Sequence, residues 1–219
     1  MNYDEALKND KRTYTQYYIS LLKTNHILIF AFVSSNDYNS KSIKICLFFF
    51  SFALYYTINV LFFTDTKIHD IYVEKGHYNF IYQIPQIIYS TIISSIINAI
   101  IRFFSLSQKV ILKIKNESIE DKNLNDKKEK LIKFLRLKFL YFFKLSFVFL
   151  IFFWYYLSCF CAVYTNTQIH LFKDTLVSFG FSLVYPIGIY LIPGILRIYS
   201  LKNKNKKYIY SFSRLIQII

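Results

Sequence analysis

Long uncharged apolar blocks, separated by short polar and mostly basic stretches, set the pattern of this chain. A helix crossing about 30 Å of hydrocarbon needs roughly 20 residues at about 1.5 Å each. Four blocks reach that length. The first is 45–63, between Lys44 and Asp65, and the second is 77–101, ending before Arg102. The third, 140–164, overlaps the uncharged run Leu145–Phe172 and reaches back past Lys144, which brings Trp154, Tyr155 and Tyr156 toward an outer interface. The fourth is 175–196, between Asp174 and Arg197. Barrel strands would be about half as long and would alternate polar with apolar positions, so these blocks predict helices. The expected fold is all-α: a polytopic integral membrane protein with four transmembrane helices and an N-terminal interfacial or re-entrant segment.

That segment, 14–33, joins the tyrosine-rich stretch Tyr14-Thr15-Gln16-Tyr17-Tyr18 to the apolar run Ile27–Val33, which is too short to span. The first 26 residues are polar and charged, so no signal peptide is read, and the first span is expected to act as the insertion signal.

Charge orients the spans. Six cations precede the first block, twelve fall in the basic loop 102–144, and six lie in the tail 197–219. Only Lys67, Lys75 and Lys173 occupy the other two connections. With 24 of 27 cations on one side of an even-span topology, both termini and the loop are expected on the cytoplasmic or matrix side. The sequon Asn116-Glu117-Ser118 falls on that side and is expected to stay unmodified. Within the loop, Leu106, Val110 and Ile114 suit a frayed helical extension, with a flexible turn near 123–126. The whole chain then reads as a single membrane domain, 1–219, whose first 44 residues form a basic cytoplasmic region.

Composition narrows the function classes. A chain that is 54% hydrophobic does not remain a solvated disordered polymer, and three cysteines do not make a disulfide scaffold. The net charge of +14 flanks spans and accompanies no nucleic-acid motif. The expected partners are therefore a bilayer with anionic headgroups and other membrane polypeptides or further copies of the chain, not nucleic acid.

The second block carries a polar row, Gln86, Ser90, Ser94 and Asn98, at four-residue spacing, with Gln83 nearby. Such residues share one helical face, which in hydrocarbon packs on other helices or lines a permeation path. Asn59 in the first block is a candidate partner for the row. Pro85 interrupts the second block, and Pro186, Gly188, Pro193 and Gly194 predict a kinked fourth helix. Broken helices hold ions in some transporters, but proline and glycine are also common in structural membrane helices. Cys159 and Cys161 are expected to be buried and inert. Asp65, His69, Asp70, Glu74, His77, His170 and Asp174 gather in the short outer connections, where they read as solvated loop residues rather than metal ligands. No catalytic triad, nucleotide loop or zinc-helix motif occurs, so no enzyme, catalytic residue, cofactor or metal is expected.

Several stretches taken together carry a resemblance: Asn36-Asp37-Tyr38-Asn39, Phe80-Ile81-Tyr82-Gln83-Ile84-Pro85-Gln86, the run from Trp154 through Cys159 and Cys161 to Tyr164, and Lys173-Asp174-Thr175-Leu176-Val177-Ser178-Phe179-Gly180. They resemble the C-terminal multi-span region of large, mostly uncharacterised membrane proteins of single-celled eukaryotes. The resemblance implies that the chain is the membrane module of a larger protein, and it assigns no activity. The expected function is a structural anchor or assembly subunit. The alternatives are a small channel or transporter using the second and fourth helices, and an accessory subunit of an organelle membrane complex.

Overall fold

The computed structural model describes residues 3–33, 37–73, 80–108, 110–112, 124–165, 167–203 and 206–217. Every regular element among them is an α-helix: α1 (Tyr3–Asn9), α2 (Tyr14–Asn25), α3 (Ile27–Phe32), α4 (Lys41–Leu61), α5 (Asp65–Val73), α6 (Phe80–Ser105), α7 (Leu124–Val163), α8 (Gln168–Ile189), α9 (Leu191–Lys202) and α10 (Lys207–Ile216). Among the described residues, four stretches are long and apolar enough to cross a membrane: Lys41–Leu61, Phe80–Leu112, Lys128–Val163 and Gln168–Lys202. The chain divides into two compact units, Asn36–Gly180, and Met1–Ser35 with Phe181–Ile219.

In the unit Asn36–Gly180, α4 is the central helix. Leu47, Phe50, Leu54 and Ile58 are buried at helical spacing. The Phe179 ring of α8 is surrounded by Phe48, Phe52 and Tyr55, with centroids 5.3–5.6 Å away. The helix starts before the expected boundary because Lys44 does not end it. Its ammonium is buried and pairs with Asp37 at 2.7 Å.

α7 meets α4 along Phe142, Phe149, Phe153 and Phe160, spaced seven, four and seven residues apart, which is a coiled-coil seam. Three of the four meet rings of α4 or its C-terminal end: Phe149 lies tilted against Phe50 at 4.6 Å, and Phe153 and Phe160 meet Tyr56 and Phe63 edge-on at 5.9 and 5.0 Å. Much of the remaining surface of α7 is exposed, and only 6% of its most apolar window is buried. This helix already runs from Leu124, so the turn expected at 123–126 is helical from its second residue. The sequon and the other residues of 113–123 lie outside the described residues. Cys159 and Cys161 are exposed rather than buried, because they flank Phe160 on either side of the seam; Cys46 is exposed too. The connection between α4 and α6 contains α5 where a loop was expected.

The second unit holds α1, α2 and α3, the last part of α8, then α9 and α10. Thr13 caps α2 through a reciprocal box with Gln16. His26 ends α2 and caps α3, its Nδ1 accepting from Ile29 N at 3.4 Å. α9 and α10 form an antiparallel hairpin: Lys206 reaches the Tyr199 hydroxyl, and Ser213 donates to the Pro193 carbonyl. Tyr3 of α1 meets Tyr210 of α10 edge-on, with centroids 5.6 Å apart.

Candidate functional site

The polar side chains of the unit Asn36–Gly180 converge on one residue. Asn59, fully buried on α4, uses its whole amide. Its Nδ2 donates to Ser178 Oγ at 2.8 Å and to the Tyr55 carbonyl at 3.0 Å. Its Oδ1 accepts from Gln86 Nε2 at 2.9 Å. Gln86 in turn accepts from the Lys67 ammonium, which also pairs with Asp174. One connected network thus ties α4, α5, α6 and α8 together. Burial pushes the Lys67 ammonium below the ordinary lysine range, and the Asp174 carboxylate opposes that shift.

The expected row on α6 continues along the α4 contact. Ser90 and Ser94 are fully buried, and Asn98 donates to Ser51 of α4 at 2.8 Å. Ser90 returns its proton to the Ile87 carbonyl, while Ser94 Oγ has no hydrogen-bond partner among the described residues. Past the end of α6, Asn39 Oδ1 accepts from the backbone N–H groups of Ser107 and Gln108 at 2.9 and 3.2 Å. Small hydroxyl residues let two helices approach closely, and bonds such as Asn59–Gln86 fix their register.

Gln83 is not joined to this network. It lines a cavity of about 260 Å³ beside it, along with Lys67, Asp70, Gln86, His170 and Asp174. Asp174 was expected as a solvated loop residue; it is 3% exposed and pairs with Lys67. Glu74 and His77 lie outside the described residues. No group of three or more metal-ligating side chains converges among the described residues.

The kink residues belong to a different arrangement. Pro186 and Pro193 lack the N–H groups that would bond the Ser182 and Ile189 carbonyls, and the helix breaks between them at Tyr190. Donors from α2 and α3's cap take carbonyls around the break. Tyr18 donates to Ile187 O at 2.9 Å, Tyr14 to Leu191 O at 3.3 Å, and His26 Nε2 lies 2.7 Å from Leu183 O. Because His26 Nδ1 is an acceptor, Nε2 carries the proton in this arrangement. The segment 14–33 therefore lies along the broken helix.

Gly194 is needed at the break, since a Cβ there would come within 2.6 Å of the Tyr14 ring. Gly188, expected to share in the kink, has nothing within 4 Å of a built Cβ. Pro85 lies inside α6 without interrupting it.

Arg197 is the other centre of this unit. It is 1% exposed, with Nη2 2.7 Å from Asp10 Oδ2 and its guanidinium 4.5 Å from the Tyr17 ring centroid. Arg12 grips the same carboxylate through two bonds of 2.8 Å. Together they hold the Asp10 carboxyl down at about 2, with the Arg12 hydrogen bond the largest cause.

Spacing on one helix revealed Gln86, Ser90, Ser94 and Asn98. It did not reveal Lys67, Asp174, Ser178 or Ser51, whose partners lie on other helices. No family model, curated protein or solved structure matches this chain.

Proposed function

We propose that the chain is a polytopic membrane module, crossing a bilayer with α4, α6, α7 and α8, and that it anchors or assembles other membrane polypeptides without catalysing a reaction. The observation carrying this reading is α7. Phe147, Ile151, Trp154 and Tyr155 point outward and are more than half exposed, which is sustainable only against lipid or a partner helix. α4, α6 and α8, with 21, 26 and 22 residues, each exceed the roughly 20 needed to span. α8 alone suffices for the fourth crossing, which moves that span from 175–196 to 168–189. The cation distribution supports placing the termini and the 102–144 segment on the cytoplasmic or matrix side.

The polar row serves packing in this reading. Asn59 bonds Gln86 and Ser178, and Asn98 bonds Ser51, across helices, which supports packing as the role of these groups.

Two measurements test the proposal. Membranes washed in alkaline carbonate should retain the chain, and native purification in mild detergent should give a particle heavier than one chain, with defined companions or further copies. Release by carbonate would overturn the membrane reading. A lone chain that conducts a solute in proteoliposomes, altered by Gln86→Leu, would overturn the assembly reading in favour of a permeation path.

A further inference from the structure

α10 is amphipathic in the wrong sense for a helix packed on its own protein. Its buried face is polar or amphipathic: Tyr210 and Ser213 are buried, and Gln217, just past its end, donates to the Tyr17 hydroxyl. Its apolar face, Tyr208, Phe212 and Leu215, is 58–70% exposed. The antiparallel partner α9 does the same. It buries Pro193, Gly194, Arg197 and Ser200, and exposes Leu191, Ile192, Ile195 and Tyr199. A helix normally turns its apolar stripe toward the core. Here both stripes of one hairpin point away from it.

The charges around the stripe identify what covers it. Lys202, Lys207 and Arg214 are exposed beside the hairpin, and Lys206 lies across the Tyr199 ring at 4.4 Å. The acidic groups described in this unit are Asp4, Glu5 and Asp10. Asp10 is enclosed by Arg12 and Arg197, and Asp4 makes only an exposed pair with Lys207 at 3.6 Å. Apolar rings flanked by cations that outnumber the acidic groups described in this unit match the boundary between anionic headgroups and acyl chains.

We propose that the α9–α10 hairpin docks on an anionic lipid surface, with Tyr208, Phe212 and Leu215 entering the acyl boundary and Lys206, Lys207 and Arg214 contacting phosphate. This deepens the membrane reading and rests on it for the presence of a bilayer. Lipid is the occupant this face fits, because its exposed apolar side chains are bordered by cations on the same hairpin.

The single tryptophan, Trp154, allows the two claims to be read separately. The full chain is reconstituted in phosphatidylcholine vesicles carrying bromine at defined acyl depths, with and without phosphatidylserine. In the wild type, quenching of Trp154 reports the span. In Trp154→Phe/Phe212→Trp, quenching reports the hairpin, and Trp154→Phe/Tyr208→Trp serves as a second probe should the first variant not fold. The expected result is a blue shift with quenching strongest from bromines near the headgroups. Phosphatidylserine should increase the quenching, and high salt or Lys206→Gln/Lys207→Gln/Arg214→Gln should remove that increase. Quenched Trp154 with an unquenched hairpin probe would overturn the docking alone. Equal quenching with and without phosphatidylserine would overturn the anionic assignment. If neither indole is quenched, both readings fall.

Discussion

Asp10 and Arg197 are separated by 187 residues in the chain and joined by a buried ion pair of 2.7 Å. The pair closes the unit built from the two ends of the chain, and Tyr17 fills the space against both Arg197 and Arg12.

The pair makes stability depend on acid. The Asp10 carboxyl lies near 2 when folded and 3.8 when free, so its contribution is complete above about pH 4 and is lost as pH falls toward 2. That contribution is about 2 kcal/mol. Thermal melts of the detergent-solubilised protein should decline over this window. Asp10→Asn should lower the melting temperature at neutral pH and flatten the decline. An unchanged acid slope in Asp10→Asn would place the titration elsewhere.

Lys67 and Asp174 should behave as a unit. Lys67→Met leaves a buried carboxylate without its cation, a change that typically costs about 3–5 kcal/mol. Combining it with Asp174→Leu removes the uncompensated charge and should recover most of the loss. A double variant no more stable than Lys67→Met would show that the two groups are not coupled.

Asn59→Ala removes the hub of the polar network and costs Gln86 Nε2 and Ser178 Oγ one partner each, with an expected loss of about 1–3 kcal/mol. In a double-mutant cycle, Asn59→Ala and Gln86→Ala should couple by about 0.6 kcal/mol, the average for hydrogen bonds between membrane helices, and by no more than about 1.7 kcal/mol. Strict additivity would mean the bond contributes nothing.

The two glycines flanking Tyr190 separate packing from flexibility. Gly194→Ala drives a methyl group into the Tyr14 ring and should destabilise by about 1–3 kcal/mol. Gly188→Ala meets open space and should be neutral or stabilising by up to about 1 kcal/mol. Melting temperatures of the two variants, side by side, decide it.

The seam on α7 predicts a similar contrast. Phe142→Ala empties a position that is 1% exposed and should cost about 3–5 kcal/mol, whereas Phe147→Ala, at 65% exposed, should change stability little in detergent.

Block length and the absence of internal charge made the four long helices legible, because an apolar stretch of some 20 residues has few other stable forms. The row from Gln86 to Asn98 was legible from its period of four, and Asn59 was recognised as its partner. Lys67 and Asp174 were not, because a charge beside an apolar block marks a boundary whether it is solvated or paired. The contacts of Tyr14 and Tyr18 were not legible either. Tyrosines next to a short apolar run suit a headgroup layer, yet their hydroxyls serve equally well as donors to a proline-broken backbone. The faces of α7 were also hidden, since rings occur on every side of it and only contact distinguishes Phe149 from Phe147.

The closure of one unit by both ends of the chain imposes an order on its biosynthesis. At roughly 5–20 residues per second, Arg197 leaves the ribosome on the order of 10–40 seconds after Asp10. Through that interval α1 and α2 exist without the carbonyls and guanidinium that later hold them, while α4, α6 and α7 are made. These two helices are thus made well before the partners that hold them, and any factor that shields Tyr14, Tyr17 and Tyr18 during the wait has a defined time in which to act.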